Sequence, residues 1–170
     1  MLPEPLHPAV VHFPIVFATL LPVSALVALW MIRRGAEARR AWALPFVLAL
    51  ALTGSSWVAI ETGEAEEDRV ENIVGDAPLH AHEEAAERLL LIAGLVSLVA
   101  GVGLLSGTVG TAARLVATAG TVVVLAAGVQ VGSLGGELVY EHGAAAAYTT
   151  ESGTPAEPTW PDEDESWEGH

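Results

Sequence analysis

Six histidines and 21 carboxylates are the side chains whose chemistry stands out in this 170-residue chain. Cysteine is absent, which excludes disulfides, zinc ribbons, thiol catalysis and haem attachment through CxxCH. All seven basic residues are Arg, so no lysine can form a Schiff base. There is no GxSxG, no P-loop and no GxGxxG following a strand. The run HEEAA at His82 lacks the second His of a HExxH zinc site. What remains is imidazole chemistry. His7, His12, His80, His82, His142 and His170 are candidates for axial ligation of haem, for binding Cu, Zn or Fe, or for carrying a proton.

The elements that must position these residues are long and apolar. Hydrophobic residues make up 52% of the chain and charged residues 16%, against roughly 25% charged in a soluble domain. A bilayer core of ~30 Å needs about 20 mostly apolar residues in a helix. Four stretches qualify, namely Ala9 to Ile32, Trp42 to Ile60, Leu89 to Leu105 and Leu115 to Tyr140, and none contains Lys, Arg or Asp. They are apolar all round, without the polar face of a water-soluble bundle helix. The N-terminus has no basic n-region and no small-residue cleavage site, so the first span is expected to remain.

Arg33, Arg34, Arg39, Arg40 and Arg114 fall in the first and third connections, and only Arg69 and Arg88 in the second. The positive-inside rule then puts the first and third connections in the cytoplasm and both termini outside. Of the 21 acids only Glu37 lies inside. The outer face repels nucleic acid, and either attracts cations and basic partners or simply aids solubility.

The expectation is an all-α fold: a four-helix transmembrane bundle over residues 6–142, N-out and C-out. A Pro-, Gly- and acid-rich tail over residues 143–170 is expected to be disordered. Spans one and two form one hairpin, and spans three and four another. In the outer connection GEAEEDRVENIV extends span two as a polar helix, Pro78 in GDAP stops it, and HEEAAER restarts the helix. Pro14 and Pro22 should bend span one, since neither has an amide to donate.

Every His then lies on the outer half. At ~1.5 Å per residue from the inner edge, His12 stands roughly 30 Å up and Glu61 about 28 Å. His82 stands about 37 Å and His142 about 42 Å up. His12 can therefore meet Glu61 or His82, whereas His142 needs a bend. Gly128, Gly132 and Gly136 recur every four residues beside Gly135. Such a pattern lets helices pack closely in lipid, in this chain or between two copies, or forms a flat wall for a macrocycle. Three readings stay open. Two imidazoles hold b-type haem, or His7, His12, His82 and Glu61 bind a transition metal or proton, or the residues are structural. In the structural reading His7 caps a helix and His12 bonds Glu61.

The blocks HPAVVHFPIV at His7, TGEAEED at Thr62, HEEAAER at His82 and LGGELVYEHG at Leu134 together resemble the domain of unknown function 2231 family. The resemblance runs from His7 to about Ala147. It implies a bacterial four-helix inner-membrane protein, with members fused to or beside c-type cytochrome modules and a haem or redox role. Its motif positions fall on His7, His12, Phe13, Pro14, Glu61, Gly63, Glu64, His82, Glu83, Gly135, Gly136, Tyr140, His142 and Gly143; His80 is not one. With no CxxCH of its own, the chain would need a partner such as a c-type cytochrome.

These observations give the expected site. His12 and His82 are the axial or metal ligands, with His142 as alternative second ligand. Glu61 orients His12, and Gly132, Gly135 and Gly136 make room. The expected function is electron transfer between the quinone pool and an outer redox partner, the rival being a non-catalytic membrane scaffold or assembly subunit.

Overall fold

The computed structural model describes residues 6–148. The described residues are helical, with no strand among them. They form α1 (His7–Val10), α2 (His12–Arg33), α3 (Ala38–Glu64), α4 (Glu67–Val74), α5 (Asp76–Val102) and α6 (Gly107–Tyr140), then a 3₁₀ turn at Ala144–Tyr148. α2 packs on α3, α3 on α5, α5 on α6, and α6 back on α2, which closes a ring of four antiparallel rods. The rods His7–Arg33, Ala38–Glu64, Asp76–Val102 and Gly107–Tyr140 are each long and apolar enough to cross a membrane.

The distribution of side-chain size shows what solvates this ring. Its buried contacts are made largely by small residues, including Ala18, Ala25, Ala28, Ala49, Ala93, Ala100 and Ala117. Large apolar side chains point outward, Leu98 at 71% exposure and Val129 at 66%. Water would drive Leu and Val inward. In lipid there is no such drive, and small residues at helix contacts let backbones approach and gain dispersion energy.

One end of the ring is locked by two polar side chains. Trp42 Nε1 donates to the Ala100 carbonyl at 3.0 Å. The Arg114 guanidinium donates to the carbonyls of Gly103 at 2.6 Å and Leu105 at 3.3 Å, and to Thr111 Oγ1 at 3.0 Å. These bonds satisfy carbonyls of the last turn of α5 and of the connection that follows it. Arg114 is thus not a residue of the third connection. α6 begins at Gly107, whose φ of 77° suits glycine, and so takes Arg114 inside it, 5% exposed.

The other end also departs from the expected boundaries. α3 runs to Glu64, and the polar segment after it is a separate helix, α4. Pro78 is not the stop. Gly75, at φ 78°, ends α4 and starts α5. Pro78 sits in the first turn of α5, where a missing N–H costs no helical bond. The expected disordered tail starts too early. Ala144 packs with Val74, Leu79 and Leu138, so the chain stays ordered past His142. The expectation for residues 149–170, including Trp160, Trp167 and His170, lies outside the described residues.

Candidate functional site

The end of the bundle carrying α1 and α4 holds a cavity of about 810 Å³. Its walls come from all four rods: Pro14 and Ala18 of α2, Ala59 and Gly63 of α3, Leu79 and His82 of α5, and Gly132 and Gly135 of α6. The opening follows from how α2 and α6 separate. At Gly128 an added Cβ would lie 3.6 Å from Ala18, ordinary contact. One turn higher, at Gly132, it would meet nothing within 4 Å. The glycine repeat therefore packs closely at its lower member and lines open space above.

His7 is placed by a residue 59 positions away. Glu66 Oε1 accepts from the Leu6 amide at 2.8 Å and the His7 amide at 3.3 Å. A carboxylate at these otherwise unpaired first amides holds the start of α1 against the end of α3. The break at Val11 between α1 and α2 lies just before Pro14, which has no N–H for the Val10 carbonyl.

The His7 ring then lies over α3, with Nδ1 2.9 Å from the Ala59 carbonyl and 3.4 Å from Thr62 Oγ1. A carbonyl only accepts, so the Ala59 contact puts the proton on Nδ1 and leaves the lone pair on Nε2. An added Cβ at Gly63 would come within 3.2 Å of His7 Nδ1 and Cε1. Glycine there makes the seat for the ring.

His82 is seated the same way from across the cavity. An added Cβ at Gly135 would come within 3.1 Å of its Cε1. The backbone of Val131 lies beside the ring, yet buried Nδ1 makes no hydrogen bond. The two imidazoles meet in a T-shaped arrangement, with ring centres 6.4 Å apart and planes at 87°.

The pairing of His12 with His82 is not the one formed. His12 is exposed and does not line the cavity. It lies five residues after His7, about 140° round a helix, so His7 and Pro14 face the cavity and His12 faces out. Glu61 is likewise exposed and cannot orient a ligand inside. His142 follows the end of α6, exposed, and is not a second ligand in this arrangement. Gly136 does not line the cavity, while Gly132 and Gly135 do. His80 turns outward and bonds Glu83 at 3.0 Å. No group of three or more His, Asp or Glu residues able to hold a metal ion occurs among the described residues.

Two contributors carried no sequence signal. Glu66 acts through a contact 60 residues distant in the chain. Ser56, 4% exposed, lines the cavity below His7, and its Oγ has no hydrogen-bond partner.

Whether b-type haem suits this donor set can be tested on the rings. Two axial nitrogens at about 2 Å from a shared metal put imidazole centres about 6 Å apart, close to the observed separation. A ligating His ordinarily donates its other ring N–H to a carbonyl or carboxylate, as His7 does to Ala59. Apolar walls around the two rings suit a macrocycle. The ring separation is thus compatible with the group, with His7 in place of His12.

No family model matches the chain, and no curated protein or solved structure matches it.

Proposed function

We propose that the chain is a multi-pass protein of a bacterial inner membrane, with both termini outside, whose outer-end cavity holds a b-type haem between His7 and His82. The haem would supply one-electron chemistry, and the protein would pass electrons between the membrane and an outer partner such as a c-type cytochrome. The observation that carries this reading is the pair of imidazoles set at right angles across the cavity, 6.4 Å between centres, each seated on a glycine. The orientation rests on Arg33, Arg34, Arg39 and Arg40 at the end opposite the cavity.

This chain's own residues have definable parts in it. Glu66 fixes the start of α1 and thereby His7. The Ala59 carbonyl sets the His7 tautomer so that Nε2 is the free donor atom. Gly63 and Gly135 let both rings sit close to the backbone. Glu64, Glu67 and Glu87 at the cavity margin favour a cationic partner surface.

The test is the visible spectrum of protein purified after growth with adequate haem. The expected result is a Soret band that disappears in both His7→Ala and His82→Ala. Colourless wild-type protein that also takes up no added haem would favour the scaffold reading.

A further inference from the structure

We propose that the lower half of the cavity, between α2 and α6, binds the head of a neutral lipid-soluble molecule of the quinone class, with Ser56 Oγ as its hydrogen-bonding anchor. Ser56 is 4% exposed and its hydroxyl is unpartnered. The other Ser and Thr side chains of α3 are engaged, Ser55 to the Leu52 carbonyl, Thr53 to Ala49 and Ser97, and Thr62 to Val58 and Ala59. A buried hydroxyl without a partner is unfavourable. Ser56 lines the cavity, so a ligand there can supply the missing bond.

The cavity also reaches the lipid side of the bundle. Ile15 and Thr19 of α2 and Val129 and Gly132 of α6 line it and are exposed as well. In a bilayer these positions face acyl chains, so entry is lateral and suits an apolar tail. Charge narrows the head group. Glu64, Glu66, Glu67, Glu83 and Glu87 line the same cavity above, with no Lys or Arg among its lining residues. That field opposes a fatty-acid carboxylate or a lipid phosphate. A neutral carbonyl can accept from Ser56 O–H, and a neutral hydroxyl can donate to it.

Ser56 precedes Ala59, the residue that bonds His7, by three positions, and Gly63, the seat of its ring, by seven. Along α3 that is roughly 5–10 Å. The ring of a quinone anchored at Ser56 would adjoin the imidazole pair. The assignment as electron partner rests on the haem reading above; binding itself does not.

The test is equilibrium binding of decylubiquinone to the full chain in lipid nanodiscs, against protein-free nanodiscs of the same lipid. Wild-type protein is expected to show saturable binding that oleate does not displace. Ser56→Ala should weaken it about 5-fold, the loss expected for one hydrogen bond of ~1 kcal/mol. Gly132→Leu should abolish it by filling the cavity that Gly132 lines, and the fold has room for the change because an added Cβ meets nothing within 4 Å. Unsaturable binding, equal binding by both variants, or displacement by oleate would overturn the proposal. A Soret band on the same samples separates the two readings. Colourless protein with Ser56-dependent quinone binding ends the haem reading alone, and coloured protein without it ends this one alone.

Discussion

His7 and His82 belong to the first and third long rods of the bundle, yet their imidazoles stand 6.4 Å apart, centre to centre, across one cavity. Each ring rests where a glycine omits its Cβ, His7 on Gly63 and His82 on Gly135. Two rings from different helices, both given backbone-close seats over the same space, are the arrangement from which the functional reading follows.

The glycine seats give the first prediction. Ala at Gly63 or Gly135 puts a methyl 3.1–3.2 Å from a ring atom, so the ring must shift by a few tenths of an ångström. Both variants should fold, since Ala is at least as good a helix former as Gly. Their ligand affinity should fall several-fold, read by haem titration. Gly54→Ala, where an added Cβ meets nothing within 4 Å, is the control and should titrate as wild type.

Glu66 gives the second. Glu66→Ala removes the acceptor of the Leu6 and His7 amides and should free the start of α1. Amide hydrogen exchange at residues 6–11 should accelerate at least tenfold, with α5 unchanged. Unaltered exchange there would mean that Glu66 does not place His7.

The locked end of the bundle gives the third. Arg114→Met keeps the length of the side chain and removes bonds to Gly103, Leu105 and Thr111. Hydrogen bonds to charged groups are worth about 1.5–3 kcal/mol each, and much of that loss is offset because the variant no longer buries a cation. The variant should be about 2–3 kcal/mol less stable in detergent unfolding. Trp42→Phe, which loses one neutral bond to Ala100, should lose about 1 kcal/mol from that bond.

The sequence made the rods and their pairing legible because both depend on run length and short connections. It did not resolve which histidine faces inward. Height along a straight helix puts His12 level with Glu61, but facing is set by angle round the helix, and His7 and His12 differ there by about 140°. Nor could spacing reveal Glu66 reaching the start of α1, because that contact exists only once α3 has brought the chain back beside α1. In sequence Leu115 opens the purely apolar run, which leaves Arg114 to the connection. The helix in fact begins earlier, at Gly107, and the buried cation is tolerated because the Gly103 and Leu105 carbonyls, just past α5, and Thr111 Oγ1 accept from it.

The corner between α4 and α5 gives the fourth prediction. Glu71 lies within hydrogen-bond reach of Asp76, and sharing a proton with that side chain, then repulsion from its charge, raises the Glu71 carboxyl above its ordinary value. A raised folded-state value makes the corner firmest below the ordinary glutamate value and looser as pH rises through the raised one. Protease resistance at residues 65–78 should therefore increase on acidification. Glu71→Gln should remove most of that dependence, and an unchanged pH profile in the variant would assign the effect to other groups.

The most direct measurement is a haem titration followed at the Soret band on four proteins side by side: wild type, His7→Ala, His82→Ala and His12→Ala. A saturable spectrum of two-histidine ligation is expected in wild type and His12→Ala, with its loss in His7→Ala and in His82→Ala. Retention of that spectrum in His7→Ala with loss in His12→Ala, or no haem uptake by wild type, would contradict it.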